Sequence, residues 1–246
     1  MCTLIVCRNA HPRYPLIVAS NRDEYYKRES RGPWCFDVGL SRQTLSPIDM
    51  KRGGTWIGVC TRGWFVGLTN QDDDCHLNGA MSRGHVVMTL LSFSNIDDAT
   101  DYVMHVDSTK HRPFNVVYGD TNGMKLASVH ADGPRVSDVQ DGITIVTNDH
   151  TPSAYYSKRE SEATLAAQRA LRSPDPIASL ERALSTHVPH EETYQSLCVH
   201  DDAIGFGTVS SAIISVDTSL NVEYRHMEGH ACRLNRNNEL WRLRGS

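Results

Sequence analysis

An unbroken apolar run opens this 246-residue chain: Thr3-Leu4-Ile5-Val6-Cys7 follows Met1-Cys2 directly. A stretch this rich in branched residues reads as a buried strand, so the chain begins inside its own fold rather than as a loose tail. A second such run, residues 16–19, is separated from the first by Asn9-Ala10-His11-Pro12-Arg13, whose proline and polar residues mark a turn. The two pair as strands. Whatever architecture the chain adopts must build outward from this pair.

The remaining pattern comes in blocks. Residues 55–61 and 64–70 flank Arg62-Gly63 and predict a hairpin. Val86, Val87, Leu90 and Leu91 recur at helical spacing after Ser82, and a second helix starts near Ser94 with Asp97 and Asp98 in its first turn. Residues 114–118, 124–129 and 142–148 return to strand character. Two alanine- and leucine-rich helices at 157–171 and 176–186 follow, and strands at 208–216 and 222–225 then turn around Asp217-Thr218-Ser219. Residues 29–54, broken by prolines and paired glycines, read as an irregular excursion with short extended pieces. Strands, helix pair, strands, helix pair, strands is the order of a layered α+β sandwich rather than of alternating βαβ units, and we read residues 1–246 as a single domain. No repeat, G-x-G-x-x-G, P-loop or G-x-S-x-G is present.

Composition removes several partners. A net charge of −4 and a pI near 6.3 give no basic field for nucleic acid or an anionic membrane. The leading apolar run is too short for a membrane span. Seven cysteines, at 2, 7, 35, 60, 75, 198 and 232, form no C-x-x-C pair and are odd in number, which argues against a disulfide scaffold or a zinc ribbon. A reducing compartment, the cytoplasm, fits that usage, with organelle import left open. The acidic run Asp72-Asp73-Asp74 reads as a solvated loop, and no metal site is expected. Oligomeric state is not written in the sequence.

The opening residues also carry chemistry. Removal of Met1 leaves Cys2 with a thiol and an α-amine, whose ordinary pKa values of about 8.5 and about 7.7–8.0 let a proton pass from sulfur to nitrogen near neutrality. Cys2, Asp23, Asn70 and Asn148 each fall at the start or end of an expected strand. Carboxamide N–H groups aimed at a developing oxyanion stabilise it by about 2.7–4 kcal/mol, and an aspartate beside a free amine orients it. Singly, each residue has a plainer reading, the cysteine as a small core hydrophobe and the asparagines as turn caps.

The run Met1-Cys2-Thr3-Leu4-Ile5-Val6, taken with Asn21-Arg22-Asp23-Glu24, resembles the NRDE family. The resemblance extends through Gly54-Thr55-Trp56-Ile57-Gly58, Leu68-Thr69-Asn70, Ser82-Arg83-Gly84, Phe114-Asn115, Thr147-Asn148 and Gly207-Thr208. That family is similar to the N-terminal-nucleophile hydrolases, especially the choloylglycine hydrolase and penicillin V acylase group. The likeness implies a four-layer αββα sandwich with the nucleophile opening an inner strand. By the same likeness, Cys2 matches the nucleophile, Asp23 the aspartate contacting the free amine, Asn70 an oxyanion-hole asparagine and Asn148 a second, substrate-side asparagine.

Two positions depart from the pattern. Ser20 stands where the acylases carry an arginine, leaving Arg22 as the neighbouring guanidinium, and Val209 stands where relatives commonly carry another arginine. The resemblance implies an amidohydrolase or acyltransferase acting on a small-molecule amide or acyl substrate, with no cofactor required. It equally implies an alternative, a non-enzymatic protein binding haem or an acyl lipid in the same cleft, for which Cys2, Met1, His85, His130 or His226 are candidate axial ligands.

Overall fold

A computed structural model describes residues 2–37, 42–71, 80–148, 154–187, 190–233 and 238–245. Met1 and the Asp72-Asp73-Asp74 run lie outside the described residues. The two opening runs form the expected pair, β1 (Cys2–Arg8) and β2 (Leu16–Tyr25), with Leu4 opposite Ser20 and Cys2 opposite Arg22. Strand β2 continues through Asp23 instead of ending before it. Its polar half stays extended because a late strand pairs with it, Thr208 lying opposite Asp23.

Residues 29–54 depart from the sequence reading. They build two regular strands, β3 (Ser30–Asp37) and β4 (Gln43–Asp49). The prolines that suggested irregularity sit where a strand tolerates them: Pro33 at a register break in an edge strand, and Pro47 beyond the two residues of β4 that pair with its other neighbour. That neighbour is β5 (Ile57–Cys60), followed by β6 (Phe65–Asn70). Their connection places Arg62 and Gly63 at φ 67° and 83°, the left-handed pair a tight hairpin demands.

Helices α1 (Arg83–Ser92) and α2 (Ile96–Met104) follow. The Asn95 side chain caps α2 by accepting from the Asp97 N–H at 2.7 Å, one residue beyond the expected start. Then come β7 (Phe114–Gly119), β8 (Met124–His130), β9 (Gly133–Asp138) and β10 (Gly142–Val146). The second helix pair is α3 (Ala154–Leu171) and α4 (Pro176–Leu184), the latter capped by Asp175 with proline in its first turn. The described chain closes with β11 (His200–Asp201), β12 (Phe206–Val216), β13 (Val222–Glu228) and β14 (Asn238–Leu243).

Among the described residues the strands form two antiparallel sheets. One runs β10-β1-β2-β12-β13-β14, with β11 also on β12, and the other runs β3 to β9 in sequence order. Alternation along β1 sorts its side chains between two layers. Leu4 and Val6 join Leu16, Val18, Ile57, Val59, Phe65 and Val117 in the core between the sheets. Ile5 and Cys7 instead pack with Ala163, Ala167, Leu180 and Leu184 under α3 and α4. On the far side Val66, Leu68 and Val116 pack against Val87, Leu90 and Val103 of α1 and α2. Each fully buried aliphatic of this kind contributes on the order of 1.5–3 kcal/mol. The result is the four-layer αββα sandwich. No described helix is long and apolar enough to cross a membrane.

Candidate active site

At one end the two sheets part to leave a cleft of about 390 Å³ with Cys2 in its wall. Cys2 pairs with Arg22 of β2, β10 flanks β1 from Leu4 onward, and Cys2 is only 9% exposed. Its backbone nitrogen donates to Asn148 Oδ1 at 2.8 Å. Burial pushes the Cys2 thiol above its ordinary value and the Asp23 carboxylate adds to this, while the Asp23 backbone N–H and the Arg22 guanidinium act in the opposite direction.

Asn148 is held in place by a polar clamp that joins the two sheets. The Thr147 carbonyl, one residue earlier, accepts from Thr69 Oγ1 at 3.0 Å and from Asn115 Nδ2 at 3.1 Å. Asn115 Oδ1 in turn accepts from Gln71 Nε2 and Ser128 Oγ at 2.6 and 2.7 Å. All of these lie in the opposite sheet or its continuation. The Thr69-Asn70 and Thr147-Asn148 pairs therefore share one network, which sets the spacing between the two asparagines. Asn70, the last residue of β6, lines the cleft.

Asp23 points toward the helical layer. Its Oδ1 accepts from the Thr208 hydroxyl at 2.6 Å, and its Oδ2 lies 2.5 Å from Arg159 Nη2 in an ion pair with both side chains essentially inaccessible. Sequence reasoning missed Arg159. The available signal was its spacing, since it lies one helical turn before Ala163 and two before Ala167 on the stripe that faces the core. A cation on a buried stripe needs an anion, and Asp23 is that anion.

The cleft wall is rich in cations. Arg22 stacks its guanidinium 4.3 Å above the Trp56 ring and donates to Ser30 Oγ. Arg83 reaches the Pro113 carbonyl, and burial, reinforced by nearby Arg112 and Arg28, holds its pKa down at about 10. Arg28 joins Glu24 and Asp49 at 2.9 and 2.7 Å. Cys2, Arg22, Asp23 and Asn70 thus line one cleft, with Asn148 bonded to the first of them. Val209 sits at the register shift between Thr208 and Ser210. Of the histidines read as haem ligands, His85 bonds the Arg52 carbonyl on the surface and His226 is buried beside Glu228. Neither they nor His130 are among the residues lining the cleft.

In comparison with known proteins, residues 1–229 match the family described as Transport and Golgi organisation 2. The chain is 35% identical over 127 residues to the Transport and Golgi organization protein 2 homolog of Bos taurus, an alignment covering 49% of this chain and 43% of that protein. It thus spans under half the length of that relative. It is 25% identical over 261 residues to Transport and Golgi organization protein 2 of Drosophila melanogaster, covering 91% of this chain and 90% of that one.

Among solved structures, a variant of the conjugated bile acid hydrolase from Clostridium perfringens superposes with a TM-score of 0.59 at 9% identity, over 99% of this chain and 92% of that one. The N-acylethanolamine-hydrolyzing acid amidase ortholog of Caenorhabditis elegans gives 0.54 at 14% identity, over 87% and 92%. At such identities the likeness is one of fold, that of the N-terminal-nucleophile hydrolases. With the family match running through nearly its whole length, the chain belongs to the Transport and Golgi organisation 2 family.

Proposed function

We propose that the protein is an N-terminal-cysteine amidohydrolase or acyltransferase that forms an acyl-enzyme on Cys2. The observation that carries this reading is the 2.8 Å bond from the Cys2 backbone nitrogen to Asn148 Oδ1, beside a thiol at the wall of the cleft. Once Met1 is cleaved, that nitrogen is the α-amine, already oriented by a carboxamide acceptor.

The amine takes the thiol proton, and the thiolate forms a C–S bond to the substrate carbonyl as its π electrons move to oxygen. Asn70, together with a backbone N–H, stabilises the oxyanion. Collapse breaks the C–N bond, and the α-ammonium protonates the leaving amine. Water, or an acceptor nucleophile, then gives its proton to the α-amine and resolves the thioester. Asp23 supports this arrangement from beneath, anchored by Arg159 and Thr208. Arg22, Arg83 and Arg112 along the wall favour a substrate whose non-reacting portion is anionic.

An electrophilic amide or β-lactone probe tests the assignment. Stoichiometric labelling of the wild type, absent in Cys2→Ala, is the expected result; labelling that persists at another residue overturns it. Intact mass of the purified protein gives a second check, because a mature chain that still begins with Met1 has no α-amine on Cys2.

A further inference from the structure

Away from the cleft, the last third of the chain gathers two thiols and three imidazoles. Cys198 and His200 flank Val199 at the entry to β11, while His230 and Cys232 flank Ala231 after β13, giving C-x-H and H-x-C segments that meet in space. His200 Nε2 lies 3.5 Å from Cys198 Sγ and 2.9 Å from Cys232 Sγ, and the three potential ligand atoms all fall within 4.8 Å of one another. Cys198 is completely buried. The His200 ring is 4.2 Å from that of His230 and 4.6 Å from that of His187.

We propose that Cys198, His200 and Cys232 bind one zinc-class divalent cation as three protein ligands, with the fourth position open to water or another exogenous ligand. Thiolate and imidazole are the donor set that favours tetrahedral zinc. With metal bonds of about 2.0–2.3 Å, a tetrahedral edge is about 3.5 Å, which matches the spacing of Cys198 and His200; Cys232 reaches it by moving outward about 0.6 Å.

Two further imidazoles are fixed around the group: His230 Nδ1 donates to the Thr208 carbonyl at 2.6 Å, and His187 Nδ1 bonds the Cys198 carbonyl at 3.0 Å. Binding replaces two S–H protons with two metal–sulfur bonds and releases both protons to solvent, with no change of oxidation state.

Such a cation also braces the cleft from behind. Thr208 N donates to the Val199 carbonyl at 2.8 Å, and Thr208 Oγ1 accepts from the Val199 N–H at 2.9 Å while donating to Asp23. A bridge between the Cys198-His200 segment and Cys232 therefore fixes the residue that holds Asp23.

Cobalt titration of the reduced, metal-stripped full chain tests the site. The expected result is one Co²⁺ per chain, tetrahedral d–d bands with a thiolate-to-cobalt charge-transfer absorption, release of two protons, and displacement by Zn²⁺. Cys232→Ser and His200→Ala should weaken binding at least about tenfold and reduce the charge-transfer intensity. Cys35→Ser, which changes an exposed thiol, should leave the spectrum as it is. Absence of the charge-transfer band in the folded wild type overturns the proposal. So does a spectrum indifferent to Cys232→Ser, or a Cys198–Cys232 disulfide, two mass units lighter, in protein purified under metal-replete conditions.

Discussion

Arg159 and Asp23 are the residues whose chemistry depends most on each other. Both are removed from water, so deleting the guanidinium leaves a carboxylate in a low-dielectric site with the Thr208 hydroxyl beside it. Breaking a buried pair from one side costs about 3–5 kcal/mol. Arg159→Met should therefore lower the urea midpoint strongly, while adding Asp23→Asn should recover part of the loss; additive effects in that double-mutant cycle would refute the pairing. Cys7 makes a different prediction. Burial pushes its thiol from 9.0 to about 12, so in the unfolded chain it loses its proton at lower pH than in the fold. The unfolded state then binds fewer protons across that window, and stability falls as pH rises from about 9 to about 12. Urea midpoints measured across this range should decline less steeply for Cys7→Val, with Tyr224, also raised by burial, accounting for some of the remaining slope. At this scale the sequence placed Cys2, Asn70 and Asn148 at strand ends, and the structure has Cys2 opening β1, Asn70 closing β6 and Asn148 two residues past β10. The sequence offered Arg159 only as a cation on the apolar stripe of α3; its partner lies 136 residues away, and no local pattern reports a contact of that separation.

At the scale of elements, the approach of α1 to the loop before β5 sets one wall of the cleft. A Cβ on Gly84 would come within 2.9 Å of Thr55 backbone atoms and 3.1 Å of Gly54 Cα. Backbone cannot swing aside as a side chain can. Gly84→Ala should thus displace the first turn of α1, with Arg83, costing about 1–3 kcal/mol and slowing probe labelling at Cys2 despite alanine's better helix propensity. Gly123→Ala, whose Cβ would meet only the tip of Ile96 at 3.4 Å, should stay within about 0.5 kcal/mol of wild type. Comparing the two by urea denaturation and labelling rate checks the argument. Strands buried on both faces, such as β1 and β7, were legible as apolar runs. Edge strands β3, β9 and β14 were not, because a strand with few buried positions carries little of the alternation that identifies one.

For the whole molecule, the grouping of helices between strands was enough to anticipate the layers, since each helix pair must cover an apolar sheet face. It could not indicate where the sheets part. The total charge of −4 likewise conceals a cleft lined by Arg22, Arg28, Lys51, Arg52, Arg83 and Arg112, because folding sorts charges that composition merely sums. Strand order adds a matter of timing. Strand β1 is flanked in the finished sheet by β10 and β2, and β2 in turn by β12, which is made some two hundred residues later. During synthesis the Cys2 sulfur therefore exists long before the groups that orient it, and that end of β1 stays open to solvent until β10 and Asn148 have been made.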